Sequence, residues 1–251
     1  MFENLIVNAG DLRLRERHTR WDSRRSTGRV YCRVDPRKSL EPLLLALFCI
    51  AVTNALAQTL DRPTSEPYKG DLSIFEYPGR DKKLQVGRVM DLLRIKPGAR
   101  VADIGAGSGW FTVRAARRVG NKGVVYAVEI NPDYIRYIQE RAMKESLPNI
   151  RTLLGKPDDP LLPDNCVDAV LLLKTYHEVA QPIALLEHVR AAMRPGARLG
   201  IIDRNGNGAN HGLNADVVIK EAGRAGLKLV EQYDFVKGDG MDYFLIFAPR
   251  Q

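Results

Sequence analysis

The chain has 251 residues, of which 45% are hydrophobic, and it carries a net charge of +8. This size and composition allow one sizeable α/β core and exclude a small disulfide-stapled domain, because the three cysteines are too few and lack metal-ligand spacing. Residues 1–40 hold nine Arg and one Lys against three Asp and two Glu, so the basicity belongs mainly to the N-terminal tail. The charge therefore does not indicate a nucleic-acid-binding face.

The N-terminal residues 1–57 combine a basic extension with an apolar segment. Residues 11–38 are Arg-rich, show no helical or strand period, and are predicted to be disordered. Residues 43–57 are free of charge and mostly apolar, but are shorter than the roughly 20 residues of a membrane span. A basic pair precedes the run and an Ala-x-Ala site ends it, which is typical of a signal peptide cleaved before Gln58.

The basic extension is too long for the usual layout of a signal peptide. Either translation begins further in, with Val34 as a non-methionine start, or residues 1–57 form a real extension that tethers the protein to a membrane. A buried core helix over 42–57 is the third alternative. If the apolar segment acts as a signal peptide or a tether, the protein is expected to be exported to the periplasm or to associate with the membrane. If it does not, the protein is expected in the cytoplasm. Membrane contact is expected through this segment alone.

Residues 58–81 are rich in Pro, Gly and charge, which predicts a linker or lid. Residues 82–251 are expected to form one domain, because hydrophobic periodicity begins at residue 82 with an apolar helical face that ends at Pro97-Gly98. Further on, strand-like and helical segments alternate, which predicts a parallel sheet covered on both faces. The predicted strands are 100–104, 123–129, 149–154, 167–173 and 198–203, and the predicted helices are 109–119, 132–146, 181–193 and 213–225.

The C-terminal end departs from this alternation. Residues 227–236 and 242–248 are two strand-like runs whose connection is too short for a crossover helix, so they are expected to pair antiparallel. The predicted fold is α/β: a Rossmann-like seven-stranded sheet, mostly parallel, with a C-terminal antiparallel hairpin and helices on both faces. A dinucleotide-binding domain would continue with parallel strands instead.

The most informative motif follows the first predicted strand. Residues 101–112 read VADIGAGSGWFT, in which an acid, Asp103, precedes three glycines spaced G-x-G-x-G. Glycine lets the backbone approach a ligand, and the layout of strand, glycine turn and helix is that of a nucleotide-binding crevice. The motif, together with the terminal hairpin, resembles the class I S-adenosylmethionine-dependent methyltransferases over residues 82–250.

The resemblance implies that S-adenosylmethionine is the cofactor. Asp103 would face its methionine amino group, and the glycine loop would line its carboxypropyl and ribose portion. The loop residues assigned to the cofactor are Gly105, Ala106, Gly107, Ser108 and Gly109.

Two further acids are predicted to contact the cofactor. Glu129, at the end of the second strand and followed by Ile130, is placed to accept hydrogen bonds from both ribose hydroxyls. NAD enzymes use an acid in the same way, so Glu129 alone does not separate the two classes. The resemblance assigns an acid after the third strand to the adenine amino group. That role is carried to Asp158, with Asp159 as the alternative, because Lys156 replaces the usual acid.

The candidate catalytic residues follow the fourth strand in the segment Lys174-Thr175-Tyr176-His177-Glu178. Histidine is a common general base, so His177 is the candidate proton acceptor, with Glu178 to orient it. Tyr176 is the candidate donor or stacking group for the acceptor, and the backbone of Lys174 is expected to touch the cofactor. His211, in the glycine-rich loop after the fifth strand, is a second candidate.

The predicted function is methyl transfer from S-adenosylmethionine to a small-molecule acceptor. The fourth strand is not followed by the Asn/Asp-Pro-Pro-aromatic stretch of enzymes that methylate the amino groups of adenine or glutamine, and the chain has no Pro-Cys pair for attack on cytosine C5. No basic patch with interleaved aromatics marks a nucleic-acid groove. Two alternatives remain: an NAD-type oxidoreductase on a related sheet, and an exported, non-catalytic cofactor-binding module.

Overall fold

The computed structural model describes residues 62–250, and the predicted signal-like segment lies outside this range. The helices and strands are α1 (Arg80–Leu84), α2 (Val86–Leu92), β1 (Arg100–Ile104), α3 (Trp110–Val119), β2 (Val124–Glu129), α4 (Pro132–Lys144), β3 (Ile150–Leu154), β4 (Val167–Leu173), α5 (Pro182–Ala192), β5 (Met193–Asp203), α6 (Ala215–Arg224), β6 (Leu227–Tyr233) and β7 (Tyr243–Pro249). Within this range, no helix has both the length and the apolar character needed to cross a bilayer.

The seven strands form one sheet in the order β3-β2-β1-β4-β5-β7-β6. Strands β1 to β5 are mutually parallel, and β7 pairs antiparallel with both β5 and β6. The predicted fold class and the antiparallel C-terminal pair are therefore confirmed. The chain builds outward from β1 to β3 and then returns to place β4 on the other side of β1. That reversal opens a crevice at the carboxyl ends of β1 and β4, where ligands bind in sheets of this kind.

The core lies on both faces of the sheet, because side chains alternate along each strand. Leu172 of β4 points to one face and packs with residues of α5 and α6, whereas Leu171 points to the other and packs with residues of α1 to α3. Burial on both faces explains why β4 is almost continuously apolar. The crevice is thus built on rigid strands.

Local sequence signals set the helix starts that face the crevice. Helix α3 begins after Gly109, which adopts a left-handed conformation with φ of 71°. Helix α4 begins at Pro132 behind Asn131, whose side-chain oxygen accepts from the backbone N–H of Asp133 at 2.9 Å. Both helix N-termini lie just after the carboxyl ends of strands.

Most predicted elements agree with the structure to within about three residues at each end, and two differ by more. The helical face that begins near residue 82 is divided into α1 and α2, because Gln85 between them is left-handed with φ of 53°. Strand β5 begins at Met193, five residues earlier than predicted, directly after α5 ends. Neither difference moves the crevice.

Candidate functional site

A cavity of about 640 Å³ lies at the carboxyl ends of β1 and β4, which is within the usual size range of small-molecule sites. Eight of the ten positions predicted to contact the cofactor line it: Asp103, Gly105, Ala106, Gly107, Ser108, Glu129, Ile130 and Lys174.

The other two predicted cofactor positions do not line the cavity. Gly109 serves as the residue before α3, and a Cβ there would lie 3.3 Å from Ile138. Asp158 is placed beside α5, where its carbonyl lies 2.9 Å from Nδ1 of His188, and its neighbours Lys156 and Pro157 line the cavity instead. The structure therefore does not bring Asp158 to the predicted adenine contact.

The glycine loop is held against β2 and β4. The backbone N–H groups of Gly105 and Ala106 both donate to the carbonyl of Val128, at 2.9 and 3.1 Å. Gly105 has φ of 69°, and a Cβ there would lie 2.3 Å from Cγ2 of Thr175. Both the conformation and the close approach of Thr175 require glycine at this position.

Replacing Gly105 with alanine is expected to destabilise the domain by about 2–4 kcal/mol and to weaken S-adenosylhomocysteine binding, because left-handed strain and a steric clash add together. Gly240→Ala is the matched control, since Gly240 is also left-handed (φ 76°) but has no atom within 4 Å of an added Cβ. Thermal unfolding and calorimetric titration measure both effects. Equal destabilisation by the two variants would contradict a packing role for Gly105.

Glu129 ties the end of β2 to the glycine loop. Its Oε1 accepts from the backbone N–H of Gly107 at 2.8 Å, and its Oε2 accepts from that of Ile130 at 3.0 Å. The side chain is 8% exposed, and burial raises its pKa against the lowering effect of these two donors. Each carboxylate oxygen keeps a second lone pair, so Glu129 can still accept hydrogen bonds from a ligand.

Asp103 is a second buried carboxylate at the same site. It is 2% exposed and accepts a hydrogen bond from Oγ1 of Thr112 at 2.6 Å. Burial, aided by the negative charge of Glu129, raises its pKa to about 7. Two acids beside a glycine loop suit a ligand that offers a cation and hydroxyl groups, and this fits S-adenosylmethionine.

Residues 62–79, here called the strap, cover the cavity. Tyr68 and Phe75 of the strap line it. Glu76 accepts from Oγ of Ser108 in the glycine loop at 2.7 Å, and Oη of Tyr134 donates to the carbonyl of Tyr68 at 3.2 Å. The strap lies within the segment that the sequence predicts to be a linker or lid.

The segment after β4 forms another wall of the cavity. Lys174, Thr175 and Glu178 line it, and burial raises the pKa of Glu178 to about 7. His177 is 1% exposed and does not line it. Its Nδ1 lies 2.8 Å from Oδ2 of Asp203, while its Nε2 lies 3.8 Å from Oε1 of Glu178. His177 is thus oriented by Asp203 rather than by Glu178.

Tyr176 lies in the hydrophobic core, whereas a catalytic role would require its side chain to reach the acceptor. Its side chain is fully buried in the core beneath the sheet, and its hydroxyl donates to Oε2 of Glu221 at 2.7 Å. Burial next to Glu221 raises its pKa well above the usual value. The predicted catalytic role of Tyr176 is corrected to a structural one, because the ring packs in the hydrophobic core and its hydroxyl is bonded to Glu221.

Comparisons with known proteins agree with this geometry. Residues 101–196 match the family described as "Methyltransferase domain". An uncharacterised methyltransferase of Mycobacterium tuberculosis is 36% identical over 103 residues, covering 41% of this chain and 39% of the relative. A solved S-adenosylmethionine-dependent methyltransferase from Aquifex aeolicus superimposes with a TM-score of 0.64 and 26% identity, covering 71% of this chain and 98% of that one. Residues 101–196 thus form a methyltransferase domain, and the described fold is similar to that of S-adenosylmethionine-dependent methyltransferases. The predicted resemblance, enzyme class and cofactor are thereby confirmed.

The relatives differ in what they act on. A tRNA (adenine(58)-N(1))-methyltransferase of Thermus thermophilus is 31% identical over 139 residues, covering 55% of this chain and 51% of the relative. The chain thus spans about 40–50% of the length of these curated relatives. The [4+2]-cyclase SpnF shares the fold, with a TM-score of 0.59 at 16% identity over 80% of this chain and 93% of that one. The fold alone therefore does not fix the reaction.

Proposed function

We propose that the protein transfers a methyl group from S-adenosylmethionine to a small-molecule acceptor. The observation that carries this proposal is the meeting of Asp103, Glu129 and the glycine loop in one cavity at the crevice between β1 and β4. Asp103 would hold the amino group of the cofactor, and Glu129 would accept hydrogen bonds from its ribose hydroxyls. The backbone N–H of Gly107 already fixes Glu129 in place, so this part of the site is formed before the cofactor binds.

When bound, S-adenosylmethionine would supply an activated methyl group that a lone pair of the acceptor can take, with the electrons of the broken S–C bond staying on sulfur. The protein's task is to align the acceptor and to keep water out, and alignment of this kind contributes about 7–11 kcal/mol. The strap serves both purposes, because Tyr68 and Phe75 cover the cavity with aromatic surface. The acceptor's place is beside Glu178, where the segment after β4 lines the cavity.

The strap encloses the cavity, and this favours a small molecule rather than a nucleic acid as the methyl acceptor. The strap is fastened on two sides: Arg62 donates from Nε to Oε1 of Glu221 at 2.7 Å, and Glu76 bonds to Ser108. A tRNA would need an open approach and a basic surface, whereas most of the positive charge lies in the N-terminal tail. The tRNA-modifying relative makes RNA the second candidate.

A methyl-transfer screen tests the proposal. The full chain is incubated with methyl-labelled S-adenosylmethionine and host extract divided into small-molecule, RNA, protein and membrane fractions. Label is expected in the small-molecule fraction and is expected to resist ribonuclease and protease. Ribonuclease-sensitive label would establish the RNA candidate, and binding of NADH without S-adenosylhomocysteine binding would overturn methyl transfer altogether.

His177 stays the predicted catalytic residue at the acceptor end. His177→Ala is expected to lower turnover and to spare S-adenosylhomocysteine affinity, because His177 lies outside the cavity lining and beyond the proposed cofactor contacts. Full activity of a folded His177→Ala variant would remove it from the mechanism.

A further inference from the structure

Three potential metal ligands meet next to the proposed acceptor position. His177, Glu178 and His211 each offer a ligand atom, and these atoms all lie within 4.8 Å of one another. The rings of His177 and His211 stand edge to face, with centroids 5.7 Å apart and planes at 88°. His211 comes from the loop after β5, so two separate segments of the chain contribute.

The first ligand is oriented before any ion arrives. Nδ1 of His177 lies 2.8 and 3.0 Å from the two carboxylate oxygens of Asp203, and the backbone N–H of His177 donates to Oδ2 at 3.2 Å. This arrangement fixes the ring and leaves Nε2 directed towards Glu178. A carboxylate on the far nitrogen is the usual outer partner of a metal-binding histidine.

The second histidine is held by its backbone, while its side chain is exposed. The N–H of His211 donates to Oγ of Ser65 in the strap at 2.9 Å, and its carbonyl accepts from Nε of Arg204 at 2.7 Å. His211 is left-handed, with φ of 57°, a conformation that non-glycine residues seldom adopt away from functional sites and turns. The strap thereby positions the second imidazole beside the first.

We propose that His177 Nε2, the Glu178 carboxylate and His211 bind a divalent transition-metal ion such as Zn²⁺. Two imidazoles and one carboxylate form a ligand set that catalytic zinc sites use, with a further position left open. Ligand atoms at about 2.0–2.1 Å from a tetrahedral Zn²⁺ lie about 3.3–3.4 Å apart, so the cluster closes in by up to about 1.5 Å, which the exposed side chain of His211 allows.

The ion gives the acceptor end a chemical role, and this step rests on the proposed function. Of the three ligands, Glu178 lines the cavity, so this side chain would bring a bound ion next to the acceptor. A metal-bound hydroxyl loses its proton more readily, and the resulting oxygen lone pair is the nucleophile that takes the methyl group while the proton passes to solvent. His177 then acts as a ligand rather than as a proton acceptor.

Calorimetric titration with Zn²⁺ tests the site on the full chain after treatment with a chelator. One ion per chain is expected for the wild type, with affinity at least about 10-fold weaker in His211→Ala. His188→Ala is the matched control, because His188 is also an exposed histidine, lies outside the cluster, and is expected to leave Zn²⁺ affinity unchanged. Absence of saturable binding, or equal affinity in both variants, overturns the metal site.

Glu178→Gln provides a second variant, since it keeps the size of the side chain and is expected to weaken Zn²⁺ binding while thermal unfolding remains cooperative. S-adenosylhomocysteine binding, measured on the same samples without metal, separates the two proposals. If Zn²⁺ does not bind but S-adenosylhomocysteine does, the metal site alone is overturned. Zn²⁺ binding without S-adenosylhomocysteine binding upholds the metal site and overturns the proposed function.

Discussion

Replacing Glu129 with alanine is expected to weaken S-adenosylhomocysteine binding by about 100-fold or more. The variant loses the acceptor for two ribose hydroxyls, and hydrogen bonds to a charged group contribute about 1.5–3 kcal/mol each. It also frees the backbone N–H groups of Gly107 and Ile130, which Glu129 now holds at 2.8 and 3.0 Å. The glycine loop therefore loses part of its order together with its ligand contact. Calorimetric titration of both proteins measures the loss.

The stability of the Glu129→Ala variant separates a binding defect from misfolding. Removing a buried carboxylate relieves its desolvation, which offsets the two lost loop hydrogen bonds, so the free energy of unfolding is expected to change by less than about 1 kcal/mol. Glu187→Ala, on the exposed side of α5, is the control for loss of one negative charge. Wild-type S-adenosylhomocysteine affinity in a folded Glu129→Ala variant would refute the ribose assignment.

Much of the fold could be predicted because the sequence signals are local. The apolar run of β4, the glycine turn before α3 and the Asn131-Pro132 start of α4 each specify one element within a few residues. The short connection between β6 and β7 likewise dictated an antiparallel pair. Gln85 shows the limit, since its left-handed backbone divides a continuous apolar pattern into two helices.

The candidate site was harder to predict where residues far apart in sequence meet. Asp203 orients His177 across two neighbouring strands, and the only sequence signal was that β4 and β5 both end at this edge. Tyr176 adjoins His177 in sequence but points into the core, because successive residues of the short turn after β4 face different directions. The strap contacts the glycine loop through the hydrogen bond between Glu76 and Ser108, and no hydrophobic periodicity in its sequence indicated this contact.

Asp103→Asn is expected to make the ligand-free domain more stable at pH 8, by about 1–3 kcal/mol. Burial raises the pKa of Asp103 from 3.8 to about 7, with the negative charge of Glu129 adding to the shift and Arg80 opposing it. Below pH 3.8 the carboxyl is protonated in both the folded and unfolded states, so its burial does not reduce the free energy of unfolding. Between pH 3.8 and about 7 only the unfolded state releases the proton, so folding stability falls as pH rises, and above pH 7 the penalty is complete.

The shift in the pKa of Asp103 corresponds to roughly 4 kcal/mol at most, and loss of the charged hydrogen bond from Thr112 reduces the gain in the variant. The difference in free energy of unfolding between the two proteins is therefore expected to shrink as pH falls from 8 towards 4. Denaturant titrations across this range measure it. A difference that is independent of pH would show that Asp103 does not carry the raised pKa.

The same Asp103→Asn variant is expected to bind S-adenosylhomocysteine at least about 10-fold more weakly at pH 8, because the neutral amide cannot pair with the cofactor's ammonium group. The ratio of wild-type to variant affinity should grow from pH 6 to pH 8, as Asp103 ionises only in the wild type. Titration of the ligand's own amino group affects both proteins equally and cancels in this ratio. Stability gained and affinity lost in one substitution is the result expected of a buried acid kept for its ligand, whereas loss of both would indicate a structural acid.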